Sequence, residues 1–155
     1  MRIGAKLPIA MNVVDANIIK SGLLSRNGAS NVVLLGMLEG TIPFAASTAI
    51  ILEYEDVLMR EGERSVLPLL GSDGVATILD ALCRMCRRTS IFYRFRPFLA
   101  DPKDDLYIEC ALASQSDTII TFDGHFRHCD LRAFGLRKAI PKDILTEMGL
   151  ARTPS

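Results

Sequence analysis

The residues best able to do chemistry in this chain are acids that fall at the ends of apolar segments. Asp15 closes the run from Ile9, and Asp123 follows the run Asp117 to Thr121. Asp104 stands just inside a helix opened by Asp101-Pro102, and Glu53 lies in a helix that begins at Ser47. Carboxylates gathered in one place repel one another, and a hard divalent cation is the usual remedy. Mg²⁺ suits such a set, because it takes one or two carboxylates, keeps several waters and orients phosphate oxygens. Three of these acids also have a plainer reading. Asp104 favours a helix N-terminus through the macrodipole, Asp123-Gly124 reads as a turn, and Glu53, Glu55 and Asp56 read as a solvated helix face. Asp15 resists such a reading, since an acid closing a buried strand has few structural uses.

The elements that must position these acids alternate between strand and helix. Ile9 to Asp15 is read as a strand, followed by a helix over Asn17 to Ser25 and a break at Arg26-Asn27-Gly28. Ser30 is the expected N-cap of a second helix running to Glu39 and ended by Gly40. Thr41 to Ala46 reads as strand, and Ser47 to Arg60 as a helix with Ile50, Tyr54, Val57 and Leu58 on one stripe. Glu61 to Gly74 is expected to be irregular, Val75 to Arg87 helical, and Thr89 to Tyr93 a strand. Asp as N-cap with Pro at the first helical position starts a helix at 101–102 that runs to Ser114. Asp117 to Thr121 and Lys138 to Ile140 complete the strands, and Pro141 opens a terminal helix. The alternation predicts one α/β domain with a central parallel sheet of four to five strands flanked by helices. Ligands bind beyond the carboxyl ends of the strands in such sheets, so the four acids converge on one edge.

Composition agrees with a globular chain. It has 155 residues, 49% of them hydrophobic and 23% charged, enough for one domain with a true core. Its 18 basic residues balance 18 acidic ones, so no overall field draws nucleic acid, and any such role rests on local charge. No apolar run approaches the roughly 18 residues of a membrane span. Arg2 and Lys6 followed by apolar residues faintly resemble a signal peptide, but Asn12 and Asp15 interrupt the stretch, and a cytoplasmic location is expected.

Four blocks, in order, resemble the PIN-domain family of metal-dependent nucleases. Val13-Val14-Asp15-Ala16-Asn17-Ile18 resembles its V-x-D-x-N opening. Ser47 to Leu58, STAIILEYEDVL, is similar to its helix with Glu six residues after Ser, which favours Glu53 over Glu55. DPKDDLYIECALA at 101–113 resembles its D-P-x-D-D helix, and TIITFDGHF at 118–126 its strand ending in T-x-D with an aromatic three residues on. The resemblance is nearest to the toxin components (VapC-like) of bacterial toxin–antitoxin modules. It implies a PIN-like domain over 10–148, with an N-terminal extension at 1–9 and a tail at 149–155. It implies that Asp15, Glu53, Asp104 and Asp123 are catalytic and hold Mg²⁺ or Mn²⁺, that Asn17, Ser47 and Thr121 orient those carboxylates, and that Asp105 is a secondary candidate. It further implies hydrolysis of RNA phosphodiester bonds, a small antitoxin protein as partner, and a homodimer. The sequence departs from the family where His125 stands, often an acidic position, and in the long stretch Glu61 to Gly74.

Rival readings are distinguishable by residue. A haloacid-dehalogenase-like phosphatase also opens with an acid after its first strand, but needs a second Asp where Asn17 stands. A DNA-cutting relative of the 5′-nuclease class shares the acidic ring but usually carries a longer helical clamp. A non-catalytic RNA-binding or interaction module is disfavoured by the intact acids. Arg84, Arg87, Arg88, Arg94 and Arg96 interleave with Phe92, Tyr93, Phe95 and Phe98, a composition suited to unpaired RNA. Arg94 and Arg96, which lead towards Asp104, are the candidate RNA contacts. The plainer reading has Phe92 in the core and Arg84, Arg87 and Arg88 at a helix C-terminus.

Cys83 and Cys86 form C-x-x-C, and His125 and His128 form H-x-x-H, an arrangement that looks like a zinc site. Cys83 and Cys86 fall in a helical run, where sulfur side chains more often fill core gaps. We therefore expect Cys83, Cys86, Cys110 and Cys129 to be neither ligands nor bridges. Metal analysis of purified, tag-free protein should find no stoichiometric zinc, and finding it would overturn this reading.

Overall fold

The computed structural model describes residues 10–91 and 102–150, without the side chains of 102–104, 128 and 129. The N-terminal extension, Asp101, Arg94, Arg96 and the aromatic residues from Phe92 to Phe98 lie outside the described residues. Five strands form one parallel sheet: β1 (Asn12–Val14), β2 (Phe44–Ala46), β3 (Arg87–Arg88), β4 (Thr118–Ile120) and β5 (Arg137–Ala139). Their order is β3-β2-β1-β4-β5. The helices are α1 (Ala16–Leu24), α2 (Ala29–Glu39), α3 (Thr48–Leu58), α4 (Leu67–Met85), α5 (Pro102–Ser114), α6 (His128–Arg132) and α7 (Pro141–Glu147).

The three central strands are buried along their whole length, as a parallel sheet covered on both faces requires. Asn12 is tolerated inside β1 because its amide nitrogen donates to Ala10 O at 2.9 Å and to Pro43 O at 3.0 Å. Pro43 precedes β2 and so removes no ladder hydrogen bond. Helix α5 packs across β1, β2 and β4, while α1 packs on α2 and α3. Tyr54, fully buried, donates its hydroxyl proton to Val14 O at 2.6 Å and so ties α3 to the end of β1.

Local structure departs from expectation in four places. Helix α2 is capped by Gly28, and Ser30 sits buried inside its first turn, because α2 begins earlier and turns Ser30 towards α1. The segment 61–74, expected to be irregular, already contains the start of α4. That helix is interrupted at Gly71, whose φ of 68° and ψ of 170° no L-residue adopts readily. It ends at Cys86, which is extended, so the chain enters β3 at Arg87 and not at Thr89. The exposed arginines are accommodated because β3 is the sheet edge, with Thr89 N–H still donating to Ala46 O at 3.1 Å. The short helix α6 has no counterpart among the elements expected from sequence.

Close approach of α1 and α2 depends on Gly22. A Cβ there would lie 2.8 Å from the Ser30 carbonyl oxygen and 3.1 Å from Leu34 Cβ, so the helices would have to separate. Gly22→Ala should lower stability by about 1–3 kcal/mol, read from the midpoint of urea unfolding. An unchanged midpoint would contradict this packing.

Candidate active site

The strand order has one reversal. From central β1 the chain builds outwards through β2 to β3, then returns to add β4 and β5 on the other side. In open α/β sheets the crevice at such a reversal, beyond the carboxyl ends of the strands, is where ligands bind. Here the reversal lies between β1 and β4. Val14 pairs with Ile120, so Asp15 and Thr121 each stand one residue past the ladder, side by side.

Asp15 is only 6% exposed and serves as the N-cap of α1. Its Oδ1 accepts the Asn17 backbone N–H at 3.3 Å, and its Oδ2 accepts the Thr121 hydroxyl at 2.7 Å. The Thr121 Oγ1 also accepts the Asp123 backbone N–H at 3.0 Å, so one hydroxyl joins the two acidic positions. Burial pushes the Asp15 carboxyl above its usual range. The bonds from Thr121 and Asn17 oppose that shift, and the Asp123 carboxylate adds to it.

Asp123 is half-buried in a loop tied down from several sides. Its Oδ1 accepts the His125 backbone N–H at 2.9 Å and lies 2.8 Å from His125 Nδ1. Its carbonyl oxygen accepts from Lys138 Nζ at 3.0 Å. His125 therefore stands beside the carboxylate, at the position where the chain departs from the family pattern.

Glu53 is half-buried on α3, one residue before the pinned Tyr54, whereas Glu55 is exposed. Its charge, together with that of Asp15, raises the pKa of the Tyr107 hydroxyl, whose main cause is burial. Tyr107 is the neighbour that sequence reasoning missed. Its Oη accepts the Ala16 backbone N–H at 3.1 Å, and its ring meets Phe126 edge-on at a centroid distance of 6.2 Å. The available signal was its spacing, three residues after Asp104 and hence on the same face of α5. The Asp104 backbone occupies the first turn of α5, one turn before Tyr107, and its side chain lies outside the described atoms. Asp105 is fully buried.

The supporting residues divide by what they touch. Thr121 orients Asp15 directly. Asn17 reaches Asp15 through its backbone amide, while its side chain is exposed. Ser47 caps α3, its Oγ accepting the Ile50 N–H at 3.2 Å, and so acts on Glu53 only through the helix. Of the arginine stretch, Arg84, Arg87 and Arg88 are exposed, and Arg88 lines a cleft of about 490 Å³ with Ser47, Thr48 and Thr89. Cys83, Cys86 and Cys110 are free thiols, and burial pushes the Cys110 thiol up to about 11.

Among the described residues no group of three or more His, Cys, Asp or Glu side chains converges closely enough to hold a metal ion. The donors present nevertheless have the right chemistry. Carboxylate oxygens are hard, and a carboxyl whose charged form is disfavoured by burial and by a second acid gains from a nearby cation. Among the described residues no helix is long and apolar enough to cross a membrane.

A family model described as PIN domain matches residues 12–125, from β1 through the Asp123 loop. No curated protein and no solved structure matches the chain.

The raised pKa of Asp15 carries a sign. With its folded value above its unfolded one, the group destabilises the metal-free fold as pH rises from about 4 towards that folded value. Asp15→Asn keeps an acceptor for the α1 cap and removes the charge. In chelator it should be more stable than the parent at pH 7, with the difference vanishing near pH 4. Equal stability at both pH values in chemical unfolding would refute the assignment.

Proposed function

The chain belongs to the PIN-domain family, whose members are generally nucleases, and on that premise we propose that it is a divalent-metal-dependent ribonuclease that hydrolyses RNA phosphodiester bonds. The observation that carries this reading is the link Asp15–Thr121–Asp123 at the topological reversal, a buried carboxylate at the edge where ligands bind. Asp15, Glu53, Asp104 and Asp123 are the residues that would hold Mg²⁺ or Mn²⁺. When bound, such an ion lowers the pKa of water and neutralises charge on a phosphate oxygen.

The chain's own groups supply the rest. Thr121 and the Asn17 amide each fix one oxygen of Asp15, so its carboxylate holds a single orientation. Tyr107 and Phe126, both buried, meet edge-on and so join α5 to the Asp123 loop. One of the acids accepts the proton of the attacking water.

By its nearest resemblance the protein is the toxin of a cytoplasmic toxin–antitoxin pair, homodimeric and held in check by a small antitoxin protein. That assignment is tested by co-expression with the product of an adjacent small gene, which should relieve any growth arrest.

Purified protein should cleave single-stranded RNA with Mn²⁺ or Mg²⁺, and lose that activity in chelator. Asp15→Asn and Asp104→Asn should each reduce cleavage to background with the far-UV spectrum unchanged. Full activity in either variant would sink the site assignment, and preferential cutting of DNA would redirect the substrate.

A further inference from the structure

Beside the acids lies a second feature that holding a metal ion does not require. Phe122 stands between Thr121 and Asp123, and the residue is 53% exposed. The exposure does not come from a slack loop. The backbone on either side is held by Thr121 N–H to Ala139 O at 3.0 Å, Asp123 N–H to Thr121 Oγ1 at 3.0 Å, and Phe126 N–H to Asp123 O at 3.3 Å. The ring is therefore presented to solvent on a fixed support.

It borders a cleft of about 310 Å³ whose lining includes Asn17, Lys20, Ser21, Glu63 and Arg64. Lys20 lies one turn further along α1 from Asn17, so the cleft opens directly off the helix that Asp15 caps. Among the described residues neither Lys20 nor Arg64 forms an ion pair. Two cations thus face one acid, Glu63, around an exposed aromatic ring. That combination matches the two parts of an unpaired nucleotide: a base with a π-face to stack, and an anionic phosphate.

We propose that this cleft is a nucleotide subsite, in which Phe122 stacks on an unpaired base next to the bond to be cut while Lys20 and Arg64 hold its phosphate. The proposal rests on the nuclease reading and adds to it the residues that hold an unpaired nucleotide beside the acids. Phe122 and the two cations are positioning residues. A duplex keeps its bases stacked on one another and cannot use the ring.

The test separates binding from cleavage. Binding of a labelled single-stranded oligonucleotide is followed by fluorescence anisotropy in chelator, across a salt series. Phe122→Ala should weaken it about tenfold or more, and Phe122→Tyr should restore it. Lys20→Ala with Arg64→Ala should reduce the salt slope by about 0.7 for each phosphate no longer neutralised. Duplex of the same sequence should bind more weakly and be indifferent to Phe122. In Mn²⁺, Phe122→Ala should raise KM more than it lowers kcat. Unchanged affinity and slope with an intact fold overturn the subsite, including the case in which the same substitutions weaken binding of a protein partner instead. Absence of cleavage from the parent protein on every substrate would count against the nuclease reading, while the chelator binding series still decides the subsite.

Discussion

The fold places a carboxylate where a carboxylate is costly. Asp15 ends the central strand of a parallel sheet, nine-tenths and more shielded from water, where an unpaired charge is strongly disfavoured. Everything nearby is arranged around that group. Its two oxygens take one backbone and one hydroxyl donor, its own helix starts at it, and the tyrosine of α5 closes over the next residue. These donors are neutral, and burial and the Asp123 carboxylate work against them, so the carboxyl stays above its usual range. A nearby cation would offset that cost, which is the physical argument behind the metal-dependent proposal.

Chain topology is what turns one costly acid into a candidate site. Because the sheet reverses between β1 and β4, the residues after each strand become neighbours although 106 positions separate Asp15 from Thr121 in sequence. Tyr54 performs the equivalent service for α3. Its bond to Val14 O fixes the rotation of the helix, so that Glu53 falls at the margin of the core and Glu55 in solvent. Tyr107 and Phe126 then hold α5 and the Asp123 loop against each other. Buried aromatic side chains and hydrogen bonds thus act together, Tyr54 and Tyr107 through their hydroxyl groups and Thr121 between Asp15 and Asp123.

The alternation of strand and helix, the parallel sheet, and the placing of Asp15 and Asp123 after strands were legible from sequence alone. Apolar runs bounded by turn residues report burial directly, and Asp15, Ser47 and Gly40 sit where helix-terminus chemistry puts such residues. Errors arose where local signals compete. Ser30 and Gly28 are both acceptable N-caps, and the choice of Gly28 follows from packing of α2 against Gly22 of α1. Arg87-Arg88 has little strand character, yet pairs with β2 because an edge strand tolerates exposed charge.

Sequence by itself therefore determined the kind of fold, which is written in residue type and short-range spacing, and it nominated the acids that the proposed site draws on. Tertiary structure alone decided the order of the strands, the sharing of Thr121 between Asp15 and Asp123, the role of Tyr107 beneath them, and the exposure of Phe122 beside them. These depend on contacts between residues far apart in the chain. No local pattern encodes such contacts, because their energy exists only once the sheet has closed around its central strand.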